Sequence, residues 1–68
     1  MKEVTQEEFW LFIGKKDAVC VIDDSKGWPY TTYLKSRDGL TVYGKIVEKY
    51  TDDIRHKYPI VATYFINN

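Results

Sequence analysis

Residues 30–47, YTTYLKSRDGLTVYGKIV, decide the fold, because they read as two strands joined by a turn at Arg37-Asp38-Gly39. A two-residue turn at Asp38-Gly39 sets Arg37 against Leu40 and Lys35 against Val42, mixing cations with aliphatics on one side of the ribbon. A three-residue loop with Gly39 left-handed does better. It pairs Ser36 with Leu40, Leu34 with Val42, Thr32 with Gly44 and Tyr30 with Ile46. The larger apolar groups other than Val47, Tyr33 and Tyr43 then share one side. The other side carries Thr31, Tyr33, Lys35, Thr41, Tyr43 and Lys45, with Tyr33 directly across from Tyr43. That register is the expectation.

Upstream, Thr5 and Glu8 have capping-box spacing and predict a helix start. Phe9, Phe12 and Ile13 then form one stripe with Trp10 on its flank, while Leu11 points toward the side of Glu7, Glu8 and Lys15. Gly14 can end the helix, and Lys15-Lys16 suit the negative end of its dipole. Ala18 to Ile22 reads as a β-branched strand covered on one side by the helix. Asp23 to Gly27 closes it with turn chemistry, and Trp28-Pro29 leads into the hairpin. Residues 48–57 fit a loop or a single helical turn. Tyr58 to Ile66 is a last strand, apolar on both faces and therefore expected to be central. The reading is α+β: one N-terminal helix packed on a mostly antiparallel sheet of about four strands, in the order α-β-β-β-β.

The chain of 68 residues has room for one domain with a thin core, burying roughly 60% of the surface exposed when unfolded. Ten basic and ten acidic residues cancel, so no global field recruits nucleic acid or an anionic membrane. Residues 1–34 hold four lysines against six acids, and residues 35–68 hold six basic residues against four acidic ones. This is ordinary surface variation. Cys20 is the only cysteine, which removes internal disulfides and makes the cytoplasm the default compartment. The apolar run Phe9–Ile13 is far short of a signal-peptide core or a membrane span.

Catalytic chemistry finds little support. His56, the only histidine, has no second imidazole or thiol at ligand spacing and reads as a surface residue. Cys20 among valines reads as a small buried hydrophobe. Glu7-Glu8, Asp23-Asp24 and Asp52-Asp53 are adjacent pairs that point two ways, as in caps and turns. No glycine pattern cradles a phosphate. No catalytic residue, cofactor or metal ligand is expected.

Surface residues remain. Tyr33, Tyr43, Lys35 and Lys45 suit an exposed sheet face that binds a partner, and Trp10, Leu11 and Trp28 are further contact candidates. The plain alternatives are a cross-strand aromatic pair under lysine stems, and tryptophans capping a small core. Short length and eight lysines against two arginines match the composition of small phage or mobile-element accessory proteins. The leading expectation is a protein-binding accessory module of inhibitor or adaptor type. A weak single-stranded nucleic-acid binder using the tyrosine face is the alternative. Leu11 and unpaired strand edges also suggest a homodimer.

Overall fold

The computed structural model describes residues 1–50 and 60–68. Strand β1 (Lys2–Val4) precedes helix α1 (Gln6–Ile13), followed by β2 (Ala18–Asp23), β3 (Thr31–Ser36), β4 (Val42–Tyr50) and β5 (Ile60–Ile66). All strand pairs are antiparallel, in the order β1-β5-β4-β3-β2. This is the expected α+β architecture with five strands rather than four. The extra strand, Lys-Glu-Val, is too short and too charged to carry an alternation signal. It is ordered by pairing Lys2, Glu3 and Val4 with Ile66, Phe65 and Tyr64.

The capping box forms as its spacing predicts: the Thr5 hydroxyl accepts from Glu8 N–H at 3.2 Å, and the Thr5 N–H donates to the Glu8 carboxylate at 3.3 Å. Helix α1 ends at Gly14 with right-handed backbone, φ −61°. Its inward stripe is Phe9 and Ile13, both buried, with Phe12 half-buried beside them. Leu11 lies on the outer side and is exposed.

The helix lies across β5 and β4. Its floor is Leu34 and Ile66, with Val4, Ile46, Tyr43 and Tyr64 packed around them. Gly44 completes that floor, because a Cβ there would stand 3.0 Å from the Phe9 ring and 2.6 Å from the Phe65 carbonyl. Only a hydrogen fits. A strand glycine at a close approach of this kind lets a short helix seat deeply on a small sheet.

The coverage expected for β2 is not found. That strand is an edge, far from the helix, and only Ala18 reaches the core cluster. Cys20, Val21 and Ile22 are exposed, so the reading of Cys20 as a buried hydrophobe is overturned. The last strand, expected to be central because it is apolar on both faces, is internal as β5, whereas β2, apolar on both faces too, is an edge. Period-two alternation reports which side a residue faces, and says nothing about whether a neighbour strand stands beside it. Of the polar segment 48–57, residues Glu48 to Tyr50 continue β4. The remainder, with His56, Tyr58 and Pro59, lies outside the described residues.

Candidate sheet-face interface

The β3–β4 hairpin differs from its expected register in a way that rearranges the candidate site. Ser36 N–H donates to the Thr41 carbonyl at 2.8 Å, and Gly39 N–H to the Ser36 carbonyl at 2.9 Å, so the loop holds Arg37 to Leu40. Gly39 has the expected positive φ, 78°. Leu40 sits in that loop, almost fully exposed, instead of on the core face. The Asp38 carboxylate accepts from Leu40 N–H at 2.9 Å, and the Ser36 hydroxyl accepts from Thr41 N–H at 3.0 Å. These local bonds satisfy the turn without a tighter hairpin.

Lys35 stands opposite Val42, the pairing that mixes a cation with an aliphatic. A bulge follows at once: Leu34 stands opposite Gly44, leaving Tyr43 as the extra residue of β4. One inserted residue reverses the alternation beyond it. Leu34, Gly44 and Ile46 are thereby kept on the helix side although the turn begins in the other register. Asn67 ties the bulge down, its backbone N–H donating to the Tyr43 carbonyl at 2.8 Å and its side-chain amide to the Val42 carbonyl at 3.0 Å.

The cost falls on the expected tyrosine pair. Tyr33 is opposite Lys45, not Tyr43. Tyr43 packs against the core beneath the helix, with the Lys16 ammonium 5.6 Å from its ring and 5.0 Å from that of Phe12. Leu34 and Val42 therefore lie on opposite faces, and the three-residue-loop register is incorrect.

The face turned away from the helix carries a different row. Strand pairing aligns Val21, Tyr33, Lys45, Phe65 and Glu3 across all five strands. A second row runs Asp23, Thr31, Val47 and Thr63, and Val19, Lys35 and Val42 form a third. No described element covers this face, since the one helix among the described residues lies on the other side. Two cations lie over its rings: Lys45 Nζ is 5.3 Å from the Phe65 ring centre, and Lys35 Nζ 5.5 Å from that of Tyr33. Phe65 is the residue that sequence reasoning missed. Its place beside Lys45 follows from the β4–β5 register, which the residues alone do not reveal.

The other candidates are dispersed. Trp10, exposed on α1, packs edge-on against Phe9 at 4.9 Å, and Leu11 stands exposed beside it. Trp28 is exposed in the β2–β3 connection and meets Tyr30 edge-on at 5.2 Å. The carboxylates with displaced titration are turn and cap groups: the Arg37 hydrogen bond lowers Asp17, Ser25 lowers Asp23, Ser36 lowers Asp38, and Thr5 lowers Glu8. None belongs to a cleft. Among the described residues no three His, Cys, Asp or Glu side chains gather as a metal set, and no helix is long and apolar enough to cross a membrane. Comparison with family models, curated proteins and solved structures finds no match.

Proposed function

We propose that this chain is a non-enzymatic protein-binding module of inhibitor or adaptor type, working in the cytoplasm, and that its contact surface is the uncovered sheet face. The observation that carries the reading is the row Val21–Tyr33–Lys45–Phe65–Glu3, a strip of two aromatic rings, a valine and two charged side chains that crosses five strands and is covered by no helix or strand among the described residues. Aromatic rings with lysine stems lying over them give a contact surface of apolar bodies and charged tips. Lys35, Lys45 and Lys49, the last opposite Val61 and two positions beyond Val47 in β4, against Glu3 and Asp23 on this face favour a partner that presents apolar side chains bordered by carboxylates.

The nucleic-acid reading draws on the same rings but fits them less well. Base stacking needs free aromatic faces, whereas lysine ammoniums already lie over Tyr33 and Phe65. Tyr43, on the helix side, adds no ring to the platform.

The test is a tagged pull-down comparing the parent chain with Tyr33→Ala and Lys45→Glu, each checked for folding by circular dichroism. A partner retained by the parent and lost by both variants supports the sheet face. Retention by both variants refutes it, and loss only with Trp10→Ala or Leu11→Ala moves the contact to the helix. Oligonucleotide anisotropy at low salt decides the other reading, which requires binding that falls steeply as salt rises.

A further inference from the structure

The two edges of the sheet are guarded very differently. Strand β1 is three residues long and carries Lys2 and Glu3, the short charged form that deters pairing. Strand β2, Ala-Val-Cys-Val-Ile-Asp, is six residues long, with no proline, glycine, lysine or bulge, and its one charge comes last. The Ser36 N–H donates to the Thr41 carbonyl, on the β4 side, and its C=O is taken by Gly39 N–H within the turn, so in the alternating strand Thr31, Tyr33 and Lys35 address β2. Their partners Asp23, Val21 and Val19 answer them. The backbone groups of Ala18, Cys20 and Ile22 therefore point outward along the free edge.

We propose that β2 pairs antiparallel with β2 of a second copy across a twofold axis at Cys20, joining two sheets into one. In this register Cys20 faces its own counterpart, Ala18 faces Ile22 and Val19 faces Val21, so every outward N–H and C=O finds a partner. Ile22 and Val21, 60% and 41% exposed and on opposite faces of the sheet, both gain cross-strand cover. The flanks select an antiparallel copy: Lys15-Lys16 precede the strand and Asp23-Asp24 end it, so each basic start meets an acidic end, with Lys16 opposite Asp24. Asp17 falls opposite Asp23 in the same register, but Asp17 is already bound to Arg37 at 2.7 Å. A parallel copy would align like with like at both ends. This inference is independent of the sheet-face reading, since it uses the edge.

Sedimentation equilibrium across a concentration series, in reducing buffer, reads the association directly. The parent chain is expected to dimerise. Ile22→Lys and Cys20→Lys, both at exposed side chains, should each weaken self-association about tenfold or more while keeping the parent circular dichroism. The register has its own readout: diamide, accepting two electrons and two protons from two thiols, should link Cys20 to Cys20 and give a covalent dimer. A Cys20→Ser, Ile22→Cys chain should cross-link far less, because the two introduced thiols lie on opposite sides of the axis. A parent chain that stays monomeric at high micromolar concentration overturns the proposal. So does a dimer indifferent to both lysine variants, and equal cross-linking from position 22 overturns the twofold at Cys20. Capture of an unrelated extended peptide at this edge, without self-association, also counts against a second copy.

Discussion

Phe9 rests on Gly44, with room for a hydrogen and none for a methyl: the added carbon would stand 3.0 Å from the ring and 2.6 Å from a backbone carbonyl. Ring and glycine approach each other because the bulge in β4 turns position 44 toward the helix. Gly44→Ala should therefore destabilise by about 2 kcal/mol or more, since the Phe65 backbone cannot retreat as a side-chain tip can. Urea unfolding followed by tryptophan fluorescence checks this. A stability within a few tenths of the parent would mean that the helix does not sit where it is described.

Gly39→Ala separates backbone strain from crowding, because a Cβ at position 39 meets nothing within 4 Å while φ is 78°. The expected loss is about 1 kcal/mol, with Gly39→Asn milder because asparagine tolerates the left-handed region. Equal stability of all three chains would assign the turn another conformation.

Thr5→Ala removes the acceptor for Glu8 N–H and should cost about 1 kcal/mol, with Thr5→Ser close to neutral. Helix α1 has eight residues, so its cap is a large part of its own stability. Far-UV circular dichroism through a thermal ramp distinguishes the two variants.

Acid should destabilise the fold, and the sign follows from four carboxylates. Glu8, Asp17, Asp23 and Asp38 are all held below their ordinary values by hydrogen bonds in the folded chain. The folded state then binds fewer protons than the unfolded one across the carboxylate range. Their contribution is complete above the unfolded values and disappears as pH falls through the folded ones. Tm is expected to be level between about pH 7 and 5 and to decline below about pH 4. Arg37, raised by Asp17, stays charged throughout and opens no window of its own. Salt should weaken chiefly the Asp17–Arg37 part, an exposed pair, with smaller losses at Glu8 and Asp23, which Lys2, Lys26 and Lys35 assist. A Tm that rises between pH 5 and 3 would contradict this account.

Much of the fold was legible because local chemistry and tertiary packing agree. Thr5 with Glu8 starts the helix, Phe9 and Ile13 face inward, Gly39 turns the hairpin, and Leu34 reaches the core. What could not be read depends on counting residues across a gap. Alternation arguments assume no insertion, so the bulge at Tyr43 defeats the hairpin register while leaving Leu34 correctly placed. A glycine in mid-strand is the one signal that points to it, and Gly44 carries that signal. Tyr33, Lys35 and Lys45 were correctly grouped on one face. Tyr43 was misplaced by the bulge, and Phe65 entered the group only through the pairing of β4 with β5.

The sheet order β1-β5-β4-β3-β2 sets a schedule for a chain made from its N-terminus. As α1 leaves the ribosome it has nowhere to dock: Leu34 and Gly44 come later, and Ile66 and Tyr64, on the strand beneath it, come last. Strand β1 likewise waits for β5, its pairing partner. Once residue 50 has been made, β2, β3 and β4 hold all the residues of a meander whose helix-side face is bare and whose β4 edge is open. That meander has two unguarded strand edges, at β4 and at β2, and the arrival of β5 closes only the first.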